Sequence, residues 1–115
     1  MLKKLTILAI VACFALPISA KPTVKPRKVQ RVTINLTRRG YEPQSFRLRK
    51  GIQAYVTFIR RTNDDCGEVV VIPAYGVRRA LPLNQPTTVR FTPRQSGTFN
   101  FACGMDMLRG TIIVN

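Results

Sequence analysis

Residues 97–114, GTFNFACGMDMLRGTIIV, decide the fold. Phe99 and Phe101 alternate with smaller or polar residues, and this period of two predicts a strand with one buried face. The β-branched run at 111–114 predicts a second, buried strand. Between the two strands lies a short loop in which three sulfur-bearing side chains fall within five residues: Cys103, Met105 and Met107. The sequence therefore predicts two rigid strands joined by a sulfur-rich loop.

The sulfur atoms of this loop favour a soft metal ion, because thiolate and thioether ligands select copper(I). In an extended loop, side chains two positions apart point the same way, so Cys103, Met105 and Met107 are expected to share one surface. An ordinary packing role for the methionines, which fill irregular gaps in cores, is the alternative. Asp106 or Glu68 could add an oxygen ligand, although oxygen donors suit harder ions.

Histidine is absent from the whole chain. Its absence removes imidazole as a metal ligand and also removes the commonest general base. The sequence offers no nucleophile with a matching base and no suitable pair of carboxylates. We therefore expect a binding protein rather than an enzyme.

The start of the chain predicts export. A basic head with Lys3 and Lys4, an apolar run over 5–18 and the small residues Ser19-Ala20 are typical of a secretory signal peptide covering residues 1–20. The apolar run is short for a membrane-spanning helix. Cys13 and the residues before it also resemble a lipoprotein signal, but the apolar run continues past Cys13. We therefore expect a periplasmic or secreted protein, and rank a lipid anchor on Cys13 second.

The chain is strongly basic, with 19 Lys and Arg against 5 Asp and Glu and a net charge of +14. Cleavage after Ala20 would remove Lys3 and Lys4 and leave about +12. Such a charge attracts anionic membrane surfaces and acidic proteins, although it also serves simple solubility. The basic residues are spread along the chain without the interleaved aromatics of a nucleic-acid motif, so no nucleic acid is expected as a partner.

Two cysteines, Cys66 and Cys103, follow the predicted signal peptide. Outside the cytoplasm, two thiols usually form one disulfide. The pair could therefore be a structural disulfide and nothing else, or it could supply two thiolates to a metal when reduced. The sequence leaves both readings open.

The rest of the chain predicts one all-β domain. Residues 21–29, rich in proline and lysine, are expected to form a flexible basic leader, and the domain is expected to span 30–115. Alternating or apolar stretches predict further strands at 30–37, 45–49, 54–60, 68–72, 77–81 and 87–92. About eight short strands at this spacing are typical of an antiparallel sandwich or barrel.

Several short patterns resemble the cupredoxin family. They are Tyr41-x-Pro43 before one strand, Lys50-Gly51 before the next, Gly97-x-Phe99-x-Phe101-x-Cys103, and Gly110-x-Ile112-x-Val114. The resemblance is greatest to a small exported group whose last loop carries Cys-Gly-Met-x-Met, and it covers roughly residues 34–115. It implies a Greek-key antiparallel β-sandwich that binds copper.

A blue-copper cupredoxin holds its metal with two histidines, a cysteine and a weak axial methionine. By position, Cys103 matches that cysteine, Met107 matches the axial methionine, and Cys66 lies where the first histidine is usual. Met105 is the soft donor left in the loop. The resemblance thus implies a sulfur-only site of Cys66, Cys103, Met105 and Met107.

Sulfur ligands stabilise copper(I) and disfavour the copper(II) half of a redox cycle. The function implied is copper(I) binding, buffering or delivery, with copper-handling envelope proteins as partners. The alternatives are an electron-transfer cupredoxin and a disulfide-bridged interaction domain that binds no metal.

Overall fold

The computed structural model describes residues 9–18, 28–63 and 67–115. In this part of the chain, a 3-10 turn covers Pro73–Tyr75, and residues 9–18 have no regular secondary structure. The strands are β1 Val29–Thr37, β2 Gly40–Glu42, β3 Ser45–Leu48, β4 Gln53–Arg60, β5 Val69–Ile72, β6 Val77–Ala80, β7 Pro86–Phe91, β8 Gly97–Cys103 and β9 Arg109–Val114. The described residues contain no helix of the length and apolarity needed to cross a bilayer.

The strands form two sheets, as the prediction of an all-β sandwich requires. One sheet has four strands in the order β2-β1-β4-β7, and the other has five in the order β3-β9-β8-β5-β6. The sheets are mixed rather than wholly antiparallel, because β1 pairs with β4 and β3 pairs with β9 in parallel. Alternation of side chains shows which face of a strand is buried but not the direction of its neighbour, so the sequence did not reveal these pairings.

The core lies between the sheets and follows the predicted alternation. Ile34 and Leu36 of β1 are fully buried, and Phe46 and Leu48 of β3 face them from the other sheet. Phe101 of β8 is also fully buried, whereas Phe99 is half-buried against the core. The buried apolar faces of the two sheets supply most of the free energy that holds the sandwich together.

Strand β2 was not among the predicted strands. It pairs with the end of β1, with Tyr41 opposite Leu36. This pairing buries Tyr41 among aromatic rings, with its centroid 4.8 Å from Phe101 and 6.3 Å from Phe58. Its burial raises the pKa of the Tyr41 phenol to about 12.

Gly110 allows β9 to lie close against this aromatic cluster. It is opposite Phe101 in the β8–β9 ladder, and a Cβ at this position would overlap the Phe101 ring. The glycine thus lets β9 lie close against Phe101 in the hairpin that carries the sulfur-rich loop.

The ends of several elements meet at one end of the sandwich, here called the rim. β1 and β4 end side by side, with Leu36 opposite Arg60. Gly67 packs against both, because a Cβ on it would lie 2.5 Å from Leu36 Cδ2 and 3.1 Å from Arg60 Cδ. A Cβ on Gly40 would lie 3.9 Å from Leu108 Cδ2, so the β1–β2 turn also borders the sulfur-rich loop.

Candidate metal centre

Cys103 is the last residue of β8, and its side chain is buried with 2% exposed. The Cys103 N–H donates to the Leu108 carbonyl at 3.0 Å, which closes the connection between β8 and β9. In return, the Leu108 N–H lies 3.4 Å from the Cys103 sulfur and donates to it. The backbone therefore fixes this sulfur at the point where β8 ends. Residues 103–108 are called the sulfur loop below.

The sulfur loop is a turn rather than the extended segment that the sequence led us to expect. The Asp106 N–H donates to the Cys103 carbonyl at 2.9 Å, and Asp106 has a φ of 59°. Aspartate tolerates this left-handed conformation better than most residues. Because the loop is not extended, a spacing of two no longer implies that Met105 and Met107 point the same way.

The carboxylate of Asp106 is engaged within the loop. Its Oδ2 lies 2.6 Å from an Arg109 nitrogen, and both side chains are about two-thirds exposed. The ion pair joins Asp106 in the sulfur loop to Arg109, the first residue of β9. Asp106 therefore has a structural partner in this conformation, in keeping with its lower rank as a metal ligand.

Met105 and Met107 are exposed, with 62% and 73% of their surfaces accessible. They are not core residues, so the packing role that was the alternative for them does not hold in this structure. The loop thus combines one buried cysteine sulfur with two thioether side chains that reach solvent.

The cysteines are in different states. Cys103 is half of a disulfide, whereas Cys13 is an exposed free thiol. Cys66, the other predicted thiolate ligand, lies outside the described residues, as do Asp64 and Asp65.

The strand that follows position 66, β5, pairs with the end of β8 at Cys103. Val70 of β5 is opposite Cys103 in the β5–β8 ladder, and the Gly104 N–H donates to the Val69 carbonyl at 3.0 Å. The loop before β5 and the sulfur loop therefore meet at the same rim.

A pocket of about 320 Å³ opens beside Cys103 and Gly104 and is also lined by Arg78 and Asp106. A terminal nitrogen of Arg78 would lie 3.8 Å from a Cβ on Gly104, so a positive charge borders the sulfur loop. In the part of the chain described, no three His, Cys, Asp or Glu side chains group closely enough to hold a metal ion. Among these residues, Met105 and Met107 are the further soft donors in the same loop as Cys103.

One feature of the rim was missed by sequence reasoning. Arg38, Arg39 and Arg61 are far apart along the chain but line one pocket. The sequence does show two pairs of adjacent arginines, 38–39 and 60–61, at the ends of predicted strands. Only the parallel pairing of β1 and β4, which the sequence did not reveal, brings those ends together.

The chain belongs to the cupredoxin-like domain family, whose sequence profile matches residues 6–114. A solved relative is the metal binding domain of the Cu(I)-exporting P-type ATPase CopA of Streptococcus pneumoniae D39, determined with Cu(I). It is 32% identical, with a TM-score of 0.73 over 76% of this chain and 86% of that domain. A copper binding protein solved in the apo form is 34% identical, with a TM-score of 0.72 over 80% of this chain and 93% of that one.

More distant solved structures share the fold alone. Auracyanin A of Chloroflexus aurantiacus, a blue copper protein, is 14% identical with a TM-score of 0.62 over 76% of this chain and 100% of that one. No curated protein matches the chain. The predicted cupredoxin-like β-sandwich is confirmed, and its solved neighbours are copper-binding domains.

The fold also occurs in a copper nitrite reductase of Nitrosomonas europaea, 17% identical with a TM-score of 0.62 over 76% of this chain and 42% of that one. The absence of catalysis therefore stays a prediction for this chain. It rests on the lack of histidine and of a placed acid–base pair, not on the fold.

Proposed function

We propose that this protein binds copper(I) at the rim through Cys103, Met105 and Met107, with Cys66 as a second thiolate, and holds or hands over copper in the bacterial envelope. The observation that carries the proposal is the exposure of two thioethers in the turn that directly follows a buried cysteine sulfur. Methionines with more than half of their surface in water contribute little to the core, so their place beside Cys103 needs another reason.

The chemistry of the donors fits copper(I). Thiolate and thioether sulfur select soft ions, and the chain has no imidazole to support copper(II). The two relatives that are more than 30% identical support copper as the metal, because one was solved with Cu(I) and the other is a copper binding protein. Bound copper(I) would supply a soft, exchangeable cation that a second sulfur-rich site could accept.

The described residues hold the Cys103 sulfur in place at the end of β8. The Leu108 N–H donates to it at 3.4 Å. The exposed thioethers of Met105 and Met107 leave the outer side of the site accessible to a partner. This arrangement suits transfer of the ion between proteins better than permanent burial.

Copper(I) binding requires the reduced form of Cys103, which is half of a disulfide in this structure. Opening a disulfide takes two electrons and two protons, which a dithiol supplies as it is itself oxidised. Copper(I) then displaces the proton from each thiol that it binds. The proposal therefore includes two states, an oxidised metal-free form and a reduced form that takes the metal.

The test is an anaerobic competition titration of reduced protein with copper(I) and a coloured copper(I) chelator. Cys103→Ala is expected to weaken the affinity by more than about 100-fold, beyond the range seen when only a supporting residue is lost. Met105→Leu and Met107→Leu keep the side-chain volume and remove the sulfur, and each is expected to weaken binding by a smaller factor. Equal affinities for Cys103→Ala and the unmodified protein would remove the proposed role of that thiolate.

A matched control is Leu83→Val, because Leu83 is an exposed apolar residue in the β6–β7 connection rather than in the sulfur loop. Its copper(I) affinity is expected to equal that of the unmodified protein. A comparable loss in this variant and in Met107→Leu would show that a general surface change, and not the thioether, causes the effect.

The disulfide favours a second candidate function, a bridged interaction domain that binds no metal. A thiol count on freshly purified, unreduced protein separates the two candidates when it is followed by metal analysis after reduction. No free thiols and no copper uptake after reduction would support the bridged domain. Copper uptake upon reduction would support the first candidate.

We also propose that the protein is exported, with cleavage after Ala20. Mass spectrometry of protein recovered from the periplasmic fraction is expected to show a chain that begins at Lys21. A chain that begins at Cys13 and carries the mass of a lipid would instead support the lipoprotein alternative.

A further inference from the structure

A second pocket lies at the rim, on the side of the four-stranded sheet, and has a volume of about 600 Å³. The β1–β2 turn, the segment after β4 and the β6–β7 connection contribute to it. Its lining includes three arginines, Arg38, Arg39 and Arg61, and two asparagines, Asn63 and Asn84. This volume falls in the range of pockets that hold small molecules.

The described lining of this arginine pocket carries more positive than negative charge. Glu42 is the acidic residue of its lining, and it accepts a hydrogen bond from Thr37 Oγ1 at 3.2 Å. Among residues 28–63 and 67–115, the ion pair found is Asp106–Arg109, which does not involve this pocket. The described lining therefore carries two positive charges in excess, held by exposed guanidinium groups.

A buried arginine contacts one residue of the pocket lining. Arg60 is only 9% exposed, and its Nε donates to the Leu81 carbonyl at 2.8 Å. Its Nη1 donates to Asn63 Oδ1 at 3.3 Å, which leaves the Asn63 amide nitrogen as a donor for another group. Arg60 is thus a fourth cationic position beside the three lining arginines, and it adds to the positive potential because a charge removed from water is screened less.

Asn84 supplies another part of the lining. Its N–H donates to the Arg60 carbonyl at 2.7 Å, and it has a φ of 57°. Asparagine visits this left-handed region more readily than most residues, yet the conformation still costs free energy. Backbone contacts to Arg60 thus fix a strained residue in the wall, and its amide side chain is part of the lining.

We propose that the arginine pocket binds a phosphate group, carried by a small soluble phosphate compound or by a lipid headgroup. Guanidinium groups match phosphate oxygens with paired, charge-assisted hydrogen bonds. A phosphate carries close to two negative charges at neutral pH, which equals the excess in the described lining. The amides of Asn63 and Asn84 supply further donors around the same volume. This site is separate from the sulfur loop and does not depend on copper.

The test uses protein purified from cells that express the whole chain. Calorimetric titration with inorganic phosphate, pyrophosphate and succinate is run at a fixed, moderate salt concentration, and amide spectra locate the affected residues. Phosphate or pyrophosphate is expected to bind and to shift the signals of Asn63 and Asn84. Arg38→Gln with Arg61→Gln is expected to weaken that binding by about tenfold or more, because two charged donors are lost.

A matched control removes the same number of charges elsewhere. Arg47 and Arg49 are exposed, lie in or just after β3 of the other sheet, and are not part of the pocket lining. Arg47→Gln with Arg49→Gln is expected to change phosphate affinity by less than about twofold, as for distant surface charges that salt screens. Glu42→Gln removes the opposing charge and is expected to strengthen binding by about three- to tenfold.

Equal weakening in the two double variants would overturn the proposal, since it would show a general attraction to the basic protein. Succinate binding as tightly as phosphate would overturn the assignment to phosphate. No binding of any probe at millimolar concentration would also overturn it. Copper(I) affinity that is unchanged in Arg38→Gln with Arg61→Gln would show that these results are independent of the sulfur loop.

Vesicle sedimentation distinguishes a lipid headgroup from a small soluble phosphate compound as the ligand. Binding to phosphatidylglycerol vesicles that Arg38→Gln with Arg61→Gln abolishes, and that pyrophosphate competes away, would identify the headgroup. Pyrophosphate binding without such vesicle binding would identify a soluble compound.

Discussion

Tyr41→Phe removes a buried hydroxyl that has no hydrogen-bond partner among the described residues. The Tyr41 side chain is 3% exposed, and its ring contacts Phe101 and Phe58 through edges that a phenylalanine would keep. An unpaired buried hydroxyl costs about 1–3 kcal/mol. We therefore expect the variant to be more stable than the unmodified protein by about 1 kcal/mol at pH 7.

The same substitution changes the response of stability to pH. Burial raises the pKa of Tyr41 from 10.0 to about 12, so between these values the unfolded chain releases its proton while the folded protein keeps it. The stability contributed by the neutral phenol is complete below pH 10 and is lost as the pH rises toward 12. With about 1.4 kcal/mol for each pKa unit, the loss is about 1 kcal/mol at pH 11 and approaches 2 to 3 kcal/mol above pH 12.

The assay is urea unfolding followed by circular dichroism at pH 7, 9, 10 and 11 without reductant. Tyr55→Phe is the control, because Tyr55 is half-buried and its hydroxyl is not among the unpaired buried groups. The stability advantage of Tyr41→Phe is expected to grow between pH 10 and 11, while Tyr55→Phe follows the unmodified protein. A destabilised Tyr41→Phe at pH 7, or an advantage that does not grow with pH, would refute the reasoning.

Two further predictions concern the segment that presents the sulfur loop. Gly110→Ala is expected to destabilise the fold by about 1–3 kcal/mol in urea unfolding, because the new methyl group meets the Phe101 ring; an unchanged midpoint would show that β9 can move away freely. Asp106→Asn is expected to cost less than about 1 kcal/mol, since its ion pair with Arg109 is exposed and asparagine also accepts a positive φ. Asp106→Val should cost more, because a β-branched residue is strained there, and equal costs for the two variants would contradict that explanation.

The period-two pattern was enough to predict the fold class. Ile34, Leu36, Phe46, Leu48 and Phe101 all lie on the buried faces that their alternation indicated. Strand β2 escaped prediction because three residues are too few to show a period, and it forms by pairing with β1. The parallel pairs escaped because pairing direction depends on the connections between strands, not on the pattern within one strand.

The ligands proposed from the sequence stay a prediction, and the shape of their loop was not predicted. The sulfur-rich sequence after β8 pointed to Cys103, Met105 and Met107, and the structure places these residues in one turn at the rim. It did not reveal that Asp106 turns the loop, because the left-handed conformation is stabilised by contacts with Cys103 and Arg109. Nor did it reveal the arginine pocket, whose members meet only through the tertiary pairing of β1 and β4.

The central claim is that sulfur atoms at the rim bind copper(I), and X-ray absorption at the copper edge tests it most directly. The measurement uses reduced protein loaded anaerobically with copper(I). We expect a first coordination shell made of sulfur alone, with fewer sulfur neighbours in Cys103→Ala. A shell dominated by nitrogen or oxygen, or one that Cys103→Ala leaves unchanged, would contradict it.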